Sequence, residues 1–181
     1  MRIVAPALAC LLMTVPAAAA PPAAGGEAVL TGEATIGSEA RHVTLRLACD
    51  PAHAGISAVL TVPRFADLTP RFAFDAFEGP DGTTKPLTAI RIVGANGVRS
   101  VIAPATGAVA ADPATSYTFT VAGPKRTENP LRGIATGFAE AGARIVWTQS
   151  SPRAGDASVI ATFTVTEPAP LRTALEPCFG P

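Results

Sequence analysis

The sequence predicts an all-β fold: an antiparallel β-sandwich, or a curved sheet or barrel, of about eight strands with one amphipathic helix late in the chain. Three observations carry that expectation. Short runs of period-two alternation recur along the chain, each bounded by Gly, Pro, Asn or Asp turn residues. Only one stretch shows a helical period. Two cysteines of the mature chain lie at its opposite ends and are placed to staple it. The second-ranked architecture is a two-layer α+β fold.

The hairpin from Val43 to Val62 organises the rest. Val43, Leu45, Leu47 and Cys49 alternate with Thr44, Arg46 and Ala48, and Ile56, Ala58, Leu60 and Val62 repeat the pattern after an Asp50–Gly55 turn. Ala28 to Ile36 reads as the strand before it, with a turn at Gly37. Arg64 to Thr69 reads as a loop or single helical turn. Arg71 to Phe77 is expected to be a strand with Phe72 and Phe74 on one face and Asp75 and Phe77 on the other. Glu78 to Gly82 is turn chemistry. Leu87 to Val93 and Arg99 to Ala103 form strands around an Asn-Gly turn, and Pro104 to Pro113 is loose. Ser116 to Val121 is the next strand, with Tyr117, Phe119 and Val121 on one face.

Leu131, Ile134, Ala135, Phe138 and Ala141 make the one apolar helical stripe. Asn129 suits its N-cap, Pro130 its first position and Gly142 its C-terminal cap. Strands return at Arg144–Gln149 and Ser158–Val165, joined as a hairpin. The strand–helix–strand unit from Ser116 to Gln149 fits either a parallel crossover or a helix that caps a sheet face. Pro170 to Glu176 reads as one or two helical turns that deliver Cys178 to the core.

Residues 1–20 have the form of a secretory signal: Arg2, an apolar core from Ile3 to Val15, then small residues before a cleavage point. Residues 21–27 read as a flexible leader and residues 28–181 as a single β-rich domain. Cys10 lies inside the apolar core with Leu11, Leu12 and Met13 after it, which argues against lipidation at its end. Loss of the signal leaves Cys49 and Cys178, an even pair for an oxidising compartment. Their closure of most of the mature chain is worth at most about 4–5 kcal/mol on the chain-entropy model. No later apolar run reaches the length of a membrane span. Basic and acidic residues balance at 14 each, which gives no electrostatic case for nucleic acid or an anionic membrane surface.

The inventory for chemistry is sparse. The turn Asp50-Pro-Ala-His53 could orient an imidazole or offer two metal ligands, and His42 lies on the polar side of the hairpin; both histidines read first as solvated. Asp75, Glu78 and Asp81 cluster at the Phe-rich stretch, without the Asp-x-Asp-x-Asp-Gly order of a calcium loop and without evidence of facing carboxylates across a cleft. Lys125, Arg126 and Arg132 read as a solvated rim ahead of an anion site. The nucleophile elbow Gly-x-Ser-x-Gly and glycine-rich phosphate loops are absent from the sequence. No catalytic residue, metal ligand or cofactor is assigned.

The leading expectation is a secreted or periplasmic, non-catalytic β-domain that binds another secreted or envelope protein, as an accessory or an inhibitor of it. Phe65, Phe77 and Trp147 are the candidate contact residues, since an exposed Phe65–Phe77 patch or a surface Trp would anchor a partner. The rival is an envelope glycan or peptide hydrolase that uses Asp75, Glu78 or His53.

Overall fold

A computed structural model describes residues 25–80 and 82–179. The expected signal segment, most of the expected leader and Asp81 lie outside the described residues. Nine strands form one antiparallel sheet: β1 (Glu27–Ile36), β2 (Glu39–Asp50), β3 (Gly55–Pro63), β4 (Thr88–Gly94), β5 (Gly97–Ala103), β6 (Thr106–Val109), β7 (Ser116–Val121), β8 (Arg144–Gln149) and β9 (Val159–Thr164). Their spatial order is β5-β4-β8-β9-β1-β2-β3-β7-β6. Of the expected architectures, the curved sheet is the one adopted.

The connection from β5 to β6 explains the curl. These strands hold the two ends of the spatial order, yet only Pro104 and Ala105 separate them. Two intervening residues reach at most about 11 Å between flanking Cα atoms. The sheet therefore bends into a half-barrel until its ends approach at that corner.

The hollow of the half-barrel is the core. Inward residues of β2 and β3 (Val43, Leu45, Leu47, Ala58, Leu60 and Val62) are buried, as the alternation predicts. Tyr117 and Phe119 of β7 meet Phe72, Phe74 and Phe77 in an aromatic cluster with ring centroids 4.8–5.8 Å apart. Trp147 of β8 and Phe163 of β9 fill the other part with Phe138 and Leu171.

Four expectations need correction. Arg71–Phe77 is not a strand: Phe74–Phe77 forms a 3-10 turn. Alternation would have sent Phe77 out with Asp75, whereas three residues per turn put Phe74 and Phe77 on the same side. The amphipathic helix is also 3-10, over Arg132–Ala139; Gly133 and Gly137 each lower α-helix propensity by about 1 kcal/mol relative to alanine. Strand β6 lies inside the segment expected to be loose. Finally, β7 and β8 lie five places apart in an antiparallel sheet and so run in opposite directions, which makes the unit between them no parallel crossover.

The C-terminal helix forms as expected. Helix α1 (Pro168–Leu175) starts on a proline, which has no N–H to waste at that position, and buries Leu171, Ala174 and Leu175. It leads into the Cys49–Cys178 disulfide, which joins residues 129 positions apart with a Cα–Cα distance of 5.9 Å. At the other terminus the Cys49 N–H donates to the Gly26 carbonyl at 2.8 Å, so ordered structure reaches into the leader. Among the described residues no helix is long and apolar enough to cross a membrane.

Candidate functional site

The outer face of β1, β2, β3 and β7 carries a row of threonines in register. Thr31 stands opposite Thr44, Thr44 opposite Thr61, and Thr61 opposite Thr118. Neighbouring strands lie about 4.8 Å apart, so the row runs roughly 14 Å across the sheet. Alternation explains why they face outward: Thr44, Thr61 and Thr118 are each flanked in sequence by residues that fill the core, and Thr31 by partly buried Leu30 and by Gly32. In the next row Glu33 stands opposite His42, and Pro63 opposite Ser116.

Thr31, Thr44, Thr61, Glu33, His42, Pro63 and Ser116 line a groove of about 550 Å³, with Pro63 and Pro113 walling one end, while Thr118 lies outside it. The peptide bond before Pro113 is cis. A second hollow of about 560 Å³ adjoins it and shares Thr31, Gly32 and Glu33. That hollow exists because β1 pairs with β9 only over Gly32–Ile36, leaving the start of β1 beside Thr164, Thr166 and Pro170 instead of a strand partner. Gly32 sits where the two strands part. A Cβ there would run into the Thr162 carbonyl and the Phe163 ring, so only glycine lets β9 come this close. The two hollows meet at Thr31, Gly32 and Glu33 of β1, and the first of them is the threonine trough.

Chemically the two hollows offer methyl groups and hydroxyls on a rigid sheet, with the carboxylates of Glu33 and Glu167 and the imidazole of His42 at their sides. Threonine hydroxyls both donate and accept. Such a lining suits an extended, uncharged ligand better than a strongly charged one. The row Glu33–His42–Pro63–Ser116 also brings a carboxylate, an imidazole and a hydroxyl to the same trough. However, Pro63 on β3 intervenes between the strands of His42 and Ser116, which are then about 10 Å apart at the backbone, and the described hydrogen bonds do not join these groups into a relay.

The residues singled out from sequence fall elsewhere. Phe77 is 1% exposed and Trp147 is fully buried, so neither presents a surface. Phe65 is half-buried, its ring 5.5 Å from Phe74 and 5.3 Å from Tyr117. The exposed Phe65–Phe77 patch does not form, because the 3-10 turn draws Phe77 into the aromatic cluster. His53 Nδ1 lies 3.2 Å from both carboxylate oxygens of Asp50 in an exposed turn. Burial there works to raise the Asp50 pKa, but hydrogen bonds from His53 and the Ala52 N–H outweigh it and the carboxyl is lowered. Lys125 is exposed and pairs with Glu128 at 3.4 Å, and Arg132 is exposed as well. Among the described residues no group of three His, Cys, Asp or Glu side chains comes together as a metal would require.

Asp75 and Glu78 do line one cleft. It is shallow, about 350 Å³, and they share it with Phe65, Phe74 and Arg153. Below it the Tyr117 hydroxyl donates to the Phe74 carbonyl at 2.7 Å. Burial pushes the Tyr117 pKa up, and the Glu78 and Asp75 carboxylates push it further. His53, in the β2–β3 turn, belongs to the opposite end of β3 from the Val62–Tyr117 pair above which this cleft lies. The three groups of the hydrolase expectation are therefore not one constellation.

No known family pattern matches this chain, and neither does a curated protein or a solved structure. The trough residues were visible in the sequence only as the polar half of each alternation. Their alignment is set by strand register, which one strand read alone does not contain.

Proposed function

We propose that this chain is an exported, non-catalytic β-domain that acts by binding, and that the threonine trough takes an extended segment of another secreted or envelope protein. The observation that supports this most directly is the trough itself: a rigid row of hydroxyls and methyls from Thr31, Thr44 and Thr61, about 10 Å across three strands, with Glu33 and His42 beside it and prolines at one end. Extended peptides suit such a surface because alternate side chains point the same way. The disulfide fits an oxidising compartment, in keeping with export. A second reading is favoured by one observation, the Asp75–Glu78 cleft with its aromatic floor, which fits hydrolysis of an envelope glycan.

The test uses the disulfide-bonded mature chain as bait against secreted and envelope fractions, beside Thr44→Lys, Thr61→Lys and Asp75→Asn baits. The binding reading expects one partner that the native and Asp75→Asn baits retain. Both lysine baits should lose it by about tenfold or more in a direct titration. Equal retention by all four baits would remove the trough from the reading. Glycan turnover that disappears with Asp75→Asn would establish the hydrolase instead.

A further inference from the structure

Strand β5 is an edge of the sheet, and its free side has a definite pattern. Residues Thr88, Ile90, Ile92 and Gly94 of β4 pair with Ala103, Val101, Arg99 and Gly97 of β5. The Ser150 N–H bonds the Leu87 carbonyl, which assigns the odd-numbered residues of β4 to hydrogen bonds with β8 and the even-numbered ones to β5. The N–H and C=O groups of Val98, Ser100 and Ile102 therefore point away from β4. The side chains of the same three residues lie on the outer face. Ile102 is 68% exposed and Val98 55%.

Edges of this kind are normally guarded by proline, lysine, a bulge or great shortness. The other edge, β6, is four residues long and preceded by Pro104. The seven residues of β5 contain no proline, no lysine and no break in pairing. Its single charge, Arg99, is turned to the inner face and held by Glu140 at 3.2 Å.

We infer that a second copy of this chain pairs along β5, antiparallel and about a two-fold axis through Ser100. In that register Ser100 faces Ser100, Val98 faces Ile102 and Ile102 faces Val98, so every outward apolar side chain of the edge meets another. The same register pairs all three free N–H and C=O sets, giving about six hydrogen bonds along an edge about 23 Å long. A shift by one residue would oppose outward backbone groups to residues already bonded to β4. The match is between the edge and itself, as an isologous interface requires, and that is the reason to choose a second copy over a foreign strand. Arg91, beside Ser100 on β4, does not oppose it: the two copies of Arg91 would stand about 14 Å apart, beyond the Debye length of about 8 Å at physiological salt. Outer-face Val93, which pairs with Val98, extends the apolar surface on each side.

Sedimentation of the disulfide-bonded mature chain over a wide concentration range tests this, with Ser100→Pro and Ile102→Lys as variants. Proline is tolerated at an edge position whose N–H faces away from the sheet, so Ser100→Pro should fold and lose the dyad bonds. Ile102→Lys blocks the edge without any change to the backbone. The native chain should dimerise reversibly, and each variant should weaken association by about tenfold or more with its melting temperature little changed. A native chain that stays monomeric up to millimolar concentration would overturn the inference, as would a dimer unaffected by Ile102→Lys. This outcome is independent of whether the threonine trough binds a partner.

Discussion

Asn129 makes three hydrogen bonds from one side chain, and they reach three places. Its Nδ2 donates to the carbonyls of Ala54 and Ile56 at 2.6 Å each, and its Oδ1 accepts the Leu131 N–H at 2.9 Å. It thus closes the β2–β3 turn against the start of the 3-10 segment. The sequence points to Asn129 as the N-cap, but Leu131 holds that position and Asn129, two residues before it, accepts its N–H. The grip of Asn129 on a turn more than seventy positions earlier was not legible from the sequence. Asn129→Ala should leave buried backbone groups unpaired and cost about 2–3 kcal/mol in urea unfolding. Tyr117 gives a second prediction, in pH. Its folded-state pKa lies above the unfolded value of about 10, because it is buried and faces the Glu78 and Asp75 carboxylates. The folded chain holds this proton more tightly than the unfolded one, so its contribution is complete below pH 10 and is lost as pH rises above it. Native protein should lose stability steeply on the alkaline side, with phenolate absorbance of its single tyrosine appearing only on unfolding. Tyr117→Phe should flatten that loss while costing about 1 kcal/mol at neutral pH. Phenolate absorbance titrating near pH 10 in folded protein would contradict the argument.

Among the elements, those with strict alternation were the ones the sequence made plain. The strands β1, β2, β3, β7 and β8 carry runs of apolar residues at alternate positions, interrupted by Gly32 in β1, by Glu39 and Arg41 at the start of β2 and by Gln149 at the end of β8, and one buried face is enough to specify them. β6 has no such pattern, because Gly107 contributes no side chain to its inner face. That glycine is what lets the strand form: a Cβ there would run into the Tyr117 hydroxyl and the Phe77 Cβ. Both neighbours are fixed, Tyr117 by its bond to Phe74 and Phe77 within the aromatic cluster. Gly107→Ala should therefore destabilise the protein by about 1–3 kcal/mol through overpacking, measured by the fluorescence of its single tryptophan during denaturation. A change of less than a few tenths would mean that β6 can move aside. The Phe74–Phe77 turn was missed for a related reason. Its shape is decided by where three rings can be buried together, and that place is built by β7, some forty residues later. Asp156 completes the arrangement from the β8–β9 connection by accepting the Ala73 N–H at 3.0 Å. Burial works to raise its pKa, yet hydrogen bonds from Ser151 and Arg153 prevail and hold the carboxyl low.

At the scale of the whole molecule the question is what keeps a curled, open sheet from unrolling. The half-barrel is held at one corner by the short β5–β6 connection and filled by the aromatic cluster. At its other end β2 is tied to the chain terminus, where α1 lies on β1, β2 and the 3-10 segment of Arg132–Ala139. A helix of eight residues is marginal alone, so its place there depends on Leu171 and Leu175 being buried and on the covalent link beyond it. The pairing of Cys49 with Cys178 was readable from residue counts and compartment; that it secures a lid over the hollow required the fold. Cys49→Ala and Cys178→Ala should each cost about 2–5 kcal/mol. The loss should fall first on the lid: amides of α1 should exchange faster than those of β3 and β7, and reductant should lower the melting temperature of the native chain but not of either variant. If reductant leaves the native chain unchanged, packing of α1 alone holds the sheet closed, and the disulfide adds nothing that the folded state needs.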